Sequence, residues 1–331
     1  MDELSQSPSF FNEGDESSAR KDIDAILFDV DGVLIDTRLS YNLAIKKTVK
    51  HVLALVSSVE PIQSVSDSIL LRMRRTGGFN NDTDTTYALI LTSLVSQSTS
   101  TKELESLLFD ITNKIDVGGI ISVERYLSTV FSSTAVEKIK HKLSYPGPVG
   151  RSMVTTVFDE VFYGAELFKQ RYGIFPQYYF GDALINNERV VITRRTTRFL
   201  SKIFDDKIGV VSGRSKLAFE YSLGGELSTF NREACIFLED EPRKNAKPNP
   251  YGIKKAMKRM RAKHAIYVGD SVEDIIMVGK AKEEMGLEIE FMGVYGSSVK
   301  PVETRKFLKQ KGAEIVLRSV NQVPNILNKT M

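Results

Sequence analysis

The segment Asp24–Thr37, DAILFDVDGVLIDT, ends an apolar run in Asp29-Val30-Asp31-Gly32. Two carboxylates two residues apart at the end of a buried strand are costly unless a cation or hydrogen bonds hold them. The carboxyl ends of such strands are also where open α/β sheets bind ligands. A second apolar run, in Ile266–Ile275 (IYVGDSVEDI), ends in Gly269-Asp270, with Asp274 four residues on. That spacing puts both acids on one face of a helix start. With Asp29 they make an oxygen-rich set suited to a hard cation such as Mg²⁺. The plainer reading of the pair is helix capping by Asp270 or Ser271, with Glu273 and Asp274 favoured by the helix dipole. Capping does not account for a second strand ending in an acid.

Two further segments bear on the same chemistry. In Gly209–Lys216, GVVSGRSK, a hydroxyl and a glycine directly follow an apolar run. Ser212 and the Gly213 amide are candidates to hold a phosphoryl oxygen, because amides at a helix N-terminus favour anions. Taken alone, an ordinary serine cap with a glycine turn explains the segment better. Lys247-Pro248-Asn249-Pro250 follows the acids Glu239, Asp240 and Glu241. A lysine entering a helix N-terminus opposes the dipole, which makes sense if it faces carboxylates. A solvated loop lysine is the alternative, and Lys244 competes for the role.

These segments need strands to carry them. Apolar runs with strand-like length and β-branched content occur at Ala25–Val30, Ile208–Val211, Ala234–Leu238, Ala265–Val268, Ile289–Val294 and Ala313–Leu317. Amphipathic stretches alternate with them at Thr196–Phe204, Tyr251–Arg261, Asp274–Met285 and Val302–Lys311. The alternation predicts an α/β fold, a Rossmann-like parallel sheet with helices on both faces. The first strand breaks the rhythm, since the next comparable one begins at Ile208. Between them, Ser40–Val56, Val65–Arg75, Thr85–Leu94, Lys102–Lys114 and Met153–Tyr172 have helical spacing, with Gly-, Ser- and Pro-rich breaks. The expected organisation is a polar, poorly ordered tail over 1–21, an α/β core over 22–37 and 190–331, and an inserted all-helical domain over 38–189.

Composition narrows the function. The 331 residues are 42% hydrophobic and 26% charged, ordinary for a globular chain. A net charge of +3 gives no concentrated basic field for nucleic acid. Cys235 is the only cysteine, so intramolecular disulfides and cysteine-based zinc sites are excluded, and its apolar neighbours point to a buried core thiol. His51, His141 and His264 are scattered without ligand spacing. No run approaches the ~20 apolar residues of a membrane span, and the acidic N-terminus is unlike a secretory signal, so the cytoplasm is the expected compartment.

Together and in this order, the segments resemble the haloacid dehalogenase superfamily. Asp29-Val30-Asp31-Gly32 resembles its first motif, Ser212 its second, Lys247-Pro248 its third, and Gly269-Asp270 through Asp274 its fourth. The long insert looks like the helical cap of the first subclass, though longer than most. The segments GGFNND (77–82), YGAEL (163–167) and FLEDEPRKNAKPNP are similar to a small archaeal and cyanobacterial clade of such proteins.

The resemblance implies a Mg²⁺-dependent phosphatase acting on a small phosphorylated metabolite. Asp29 would be the nucleophile that becomes an aspartyl phosphate, and Asp31 the general acid and base. Mg²⁺ would be held by Asp29, the Asp31 main-chain carbonyl and Asp270, with Asp274 close by. Ser212, the Gly213 amide and Lys247 would bind the phosphoryl group. The acid at position 31 favours phosphoryl transfer over dehalogenation. A sugar phosphomutase, a phosphonate hydrolase using a cap lysine such as Lys46, Lys47 or Lys50, and a non-catalytic binding protein are the alternatives. Phosphoglycolate, a sugar phosphate and an amino-alcohol phosphate are all compatible substrates. Arg38 and the turn Asn80-Asn81-Asp82 are candidates to contact the leaving group. Arg72, Arg74 and Arg75, and Lys258–Lys263, are expected to be solvated helix faces.

Overall fold

The computed structural model describes residues 23–57, 65–79, 81–98 and 100–330. The expected tail over 1–21 lies outside the described residues. Six strands form a parallel sheet: β1 (Ala25–Phe28), β4 (Ile208–Ser212), β5 (Cys235–Phe237), β6 (His264–Gly269), β7 (Glu288–Val294) and β8 (Ile315–Leu317). Their order is β5-β4-β1-β6-β7-β8, so β1 lies between β4 and β6. Phe28 is in register with both Val210 and Val268, which brings the carboxyl ends of these three strands together.

β1 is buried along its whole length because each face has its own core. Ile26 and Phe28 point to one side, with Leu200, Phe204, Phe219, Val323 and Leu327 from flanking helices. Ala25 and Leu27 point to the other, with Ile253, Met257, Met277 and Ala281. Alternation between two apolar layers is why the strand reads as a continuous hydrophobic run.

A second sheet pairs β2 (Ile35–Asp36) with β3 (Arg189–Val190), antiparallel, with Ile35 opposite Val190. Among the described residues, every regular element between these two strands is helical. The expected helices appear at Tyr41–Val56, Asp67–Arg75, Asp82–Ser96, Thr101–Thr112 and Met153–Tyr172. Two more, Ile120–Leu127 and Ser133–Leu143, were not expected, and neither was the β2–β3 pair. The helices share a separate core around Leu53, Met73, Leu89, Leu104, Val123 and Val161. The last long helix kinks at Gly164 (φ 66°, ψ 176°), where a Cβ would stand 2.6 Å from the Ala183 Cβ. No described helix is long and apolar enough to cross a membrane.

Asp24 ties the amino ends of three strands. Its carboxylate accepts from Lys207 Nζ (2.6 Å) before β4, and from the Lys263 and His264 amides (3.1 Å each) at the start of β6. Burial pushes its pKa up, but the Lys207 ion pair and the two amides outweigh this and hold it below the usual 3.8. A depressed carboxylate contributes stability above its unfolded pKa and loses it as pH falls through the folded value. Asp24→Ala is expected to lower unfolding stability at pH 7 by about 1–3 kcal/mol. In urea titrations the gap from wild type should close below pH 4, and a gap unchanged at low pH would refute the ionic account.

Candidate active site

β1 ends at Phe28, and the Asp29 amide donates to the Val268 carbonyl at 2.9 Å, continuing the ladder one residue further. The chain then turns tightly. The Val30 carbonyl accepts from the amides of Val33, Leu34 and Ile35 at 2.8–3.2 Å. Gly32 has φ +79°, and a Cβ there would lie 2.0 Å from Asp270 Oδ2. Only glycine tolerates both that conformation and that approach, so Gly32 is what lets the end of β6 close on the end of β1.

Lys247 enters this junction with its side chain only 1% exposed. Its Nζ lies 2.9 Å from Asp29 Oδ1 and 2.7 Å from Asp274 Oδ1. Lys244 is exposed and takes no part. Asp274 is fully buried and heavily committed. Oδ2 accepts from Ser271 Oγ (2.8 Å) and from the Ser271 and Asp270 amides, and Oδ1 accepts from the Tyr267 hydroxyl (3.1 Å). Ser271 caps the helix Val272–Met285, with Asp274 as the reciprocal member of a capping box. Asp274 therefore serves both readings, as a cap and as the partner that steers Lys247.

Oxygens of Asp29, Asp270 and Asp274 all lie within 4.8 Å of one another. Burial pushes Asp29 up to about 6 against the pull of Lys247, with Asp274 and Asp31 adding repulsion. Asp270 is pushed far above the carboxylate range, first by burial and then by Asp29 and Asp274. Its carboxylate has no ion-pair partner among the described residues. Hard oxygen donors converging under mutual repulsion fit a divalent cation such as Mg²⁺. The donors best placed are Asp29 and Asp270, since the oxygens of Asp274 are already engaged.

Asp31 carries its side chain at the cavity edge, 29% exposed, with Oδ1 2.5 Å from Arg214 Nη1. Arg214 is the residue that sequence reasoning missed, although it stands inside GVVSGRSK. Its guanidinium is fully buried, also pairs with Glu188 and Ser222 Oγ (3.1 Å), and lies over the rings of Tyr41 and Phe162. Glu188, just before β3, in turn accepts from Ser40 Oγ at 2.8 Å. Burial raises the Asp31 pKa and Glu188 adds to it, while Arg214 opposes. Ser212 ends β4 fully buried, its Oγ accepting from the Arg214 amide at 3.3 Å. Gly213 lines the cavity beside Asp29, Asp31, Lys247 and Asp270; Ser212 is not part of that lining.

The cavity holds about 550 Å³ and runs from these acids to the helical layer. Arg38 lines it but is clasped by Asp36, Nη2 to Oδ2 at 2.6 Å. Asn81 lines it and caps the helix Asp82–Ser96, accepting from the Thr83 and Asp84 amides. Asp82 lines it and pairs with Arg74 at 2.8 Å. Asn80 lies outside the described residues. The arginines expected to be solvated are half-buried and engaged with other side chains. Arg74 also donates to Asn42 Oδ1 (2.8 Å), Arg75 reaches Glu303 (3.3 Å) and covers Phe307, and Arg72 covers Phe109. Lys258 and Lys263 are exposed, as expected. Lys46 pairs with Asp67 at 2.8 Å, and Lys47 donates to the Tyr179 hydroxyl. Among the described residues, Lys247 is the only lysine lining the cavity. Cys235 is half-buried rather than fully buried, with its thiol pushed up to about 12, chiefly by burial.

No protein-family model matches the chain, and no curated protein matches it. Solved structures do. A phosphatase, Tt82, from Thermococcus thioreducens is 26% identical over 87% of this chain and 99% of its own, with a TM-score of 0.54. A structural-genomics target, ZR25, is 16% identical over 93% of this chain and 99% of its own, at 0.59. A haloacid dehalogenase-like protein of unknown function from Agrobacterium tumefaciens is 14% identical over 93% of this chain and 98% of its own, at 0.47. The acids at the ends of β1 and β6, the lysine between them and the sheet order stand on a fold similar to that of the Thermococcus phosphatase, in keeping with the resemblance to the haloacid dehalogenase superfamily.

Proposed function

We propose that this chain is a Mg²⁺-dependent phosphatase that hydrolyses a small-molecule phosphomonoester through an aspartyl phosphate on Asp29. The observation that carries the reading is the meeting of Asp29, Asp270 and Asp274, with the buried Lys247 ammonium between Asp29 and Asp274, at the wall of one cavity. The Thermococcus protein to which the chain is similar is described as a phosphatase.

In this mechanism a carboxylate oxygen of Asp29 attacks phosphorus as the ester P–O bond breaks. Asp31 gives its proton to the departing alkoxide and then takes one from the water that hydrolyses the aspartyl phosphate. Burial and the neighbouring Glu188 favour the protonated Asp31 that the first step needs, while Arg214 holds the side chain at the cavity edge. The Gly213 amide is assigned to a phosphoryl oxygen, the buried Ser212 hydroxyl fixes the turn through the Arg214 amide, and Lys247 balances the charge passing through Asp29. Asp29, Asp270 and the Asp31 carbonyl would hold Mg²⁺, with Asp274 orienting Lys247. The chemistry supplied by bound Mg²⁺ is neutralisation of the phosphate charge that would otherwise repel Asp29. Residues 38–189 are read as a cap that excludes water from the cavity, on a core of 22–37 and 190–331. A lining without a cap lysine, among the described residues, weighs against phosphonate cleavage.

Phosphate release from small phosphomonoesters is expected with Mg²⁺ and absent with chelator. Asp29→Asn should reduce it by roughly three orders of magnitude or more, as for other removed nucleophiles. Chelator-resistant release would remove the metal from the scheme. Asp31→Asn should lower kcat by about 10²–10⁴ with little change in KM for esters of poor leaving groups. The deficit should shrink for 4-nitrophenyl phosphate, whose leaving group needs no proton. An equal loss on both esters would assign Asp31 a structural part instead.

A further inference from the structure

One wall of the cavity is aromatic, and two of its rings, Tyr41 and Phe162, lie against Arg214. Tyr41, Tyr145, Phe158, Phe162, Tyr163 and Tyr172 all contribute to its lining. Tyr41 is nearly parallel to Phe162 (centroids 4.5 Å apart, 18°) and to Phe158 (6.4 Å, 20°), so three rings share one orientation. Tyr163 stands edge-on to both Phe162 and Tyr172. Aromatic walls of this kind bury a flat ligand by offset stacking and edge contacts.

The charges around the wall are an independent observation. Every arginine lining the cavity is already ion-paired within the chain: Arg38 with Asp36, Arg74 with Asp82, Arg75 with Glu303, Arg171 with Glu239 and Asp240, and Arg243 with Asp84. Lys247 is taken by Asp29 and Asp274. No cation among the described lining residues is left for a second anion beyond the phosphate. The balance along the aromatic wall is acidic instead. Asp159 accepts from the Tyr172 hydroxyl and has no salt bridge of its own among the described residues, while Arg171 already serves Glu239 and Asp240. Burial pushes Asp159 up to about 6 and Glu239 up to about 8, the latter with repulsion from Asp159. A carboxylate or second phosphate placed there would meet the buried Asp159 carboxyl without a cation to compensate it.

We propose that the phosphomonoester cleaved by this chain carries a planar ring and no second anionic group on its leaving alcohol. This rests on the phosphatase reading and adds the substrate class to it. It disfavours phosphoglycolate and other carboxylate-bearing esters, and it suits a neutral or cationic ring, for which the tyrosine faces and Asp159 are complementary.

Four esters separate the two features: benzyl phosphate, 4-carboxybenzyl phosphate, glycerol 3-phosphate and phosphoglycolate. With wild-type protein and Mg²⁺, kcat/KM for benzyl phosphate should exceed that for glycerol 3-phosphate by roughly tenfold or more. It should exceed 4-carboxybenzyl phosphate by a similar factor. Phe158→Leu, checked for folding by circular dichroism, should shrink the benzyl-to-glycerol ratio. The wild-type ratios alone decide the matter if that variant does not fold. Equal or faster turnover of phosphoglycolate or the carboxybenzyl ester would overturn this inference and leave the phosphatase reading standing. No turnover of any of the four, nor of 4-nitrophenyl phosphate, would overturn the phosphatase reading and this inference with it.

Discussion

The Lys247 ammonium, sealed between Asp29 and Asp274, is the interaction on which the site depends. Buried carboxylates repel one another and lose their hydration, and a lysine at 2.7–2.9 Å offsets both costs. Removing one member of a buried pair leaves an uncompensated charge, at a cost of about 3–5 kcal/mol. The surrounding backbone is organised to hold this pairing. Ser271 and the Asp270 amide fix Asp274, Tyr267 donates to it from inside β6, and Gly32 clears the space that Asp270 occupies. One ammonium does not balance three acids, and the residual repulsion on Asp270 is the structural reason for assigning a metal there.

A second buried cation links this junction to the helical layer. Arg214 rises from the end of β4 and joins Asp31 to Glu188, the residue preceding β3, and Glu188 reaches Ser40 at the start of the first described helix. Asp31 is thus positioned from the points where the chain leaves and re-enters the core. Across the cavity, Arg171 of the helical layer pairs with Glu239 and Asp240, and Arg243 of the core pairs with Asp84. Arginines suit these bridges because the planar guanidinium can serve two acceptors at once and stack on rings. Their engagement also leaves the cavity interior with aromatic surface and unmatched acid.

Much of the core was legible in sequence because a buried parallel strand leaves a continuous apolar run, and acids ending such runs are conspicuous. All six sheet strands were anticipated, although β1, β5 and β8 are shorter than their runs. The long helices of the insert were also anticipated, from apolar positions three and four apart. The strands β2 and β3 were not, because two residues carry no periodicity. Ile120–Leu127 and Ser133–Leu143 were missed as well; they are short helices, and the second buries only Val136 and Leu143.

What the sequence alone determined was which chemistry the chain can support: the acids at positions 29, 31, 270 and 274, a lysine at 247, and the strands that present them. Those features are local, and each follows from residue type and spacing within about ten positions. Only the tertiary structure decided partners. Arg214 looks like any polar residue after a Ser-Gly turn until Glu188 and Asp31 close on it. Arg74 and Arg75 look solvated until Asp82, Asn42 and Glu303 are brought beside them. Asn81, which lines the cavity, also caps a helix with its side-chain oxygen. For Arg214 with Asp31 and Arg75 with Glu303 the physical reason is separation along the chain, 183 and 228 residues, which leaves no pattern in the local sequence.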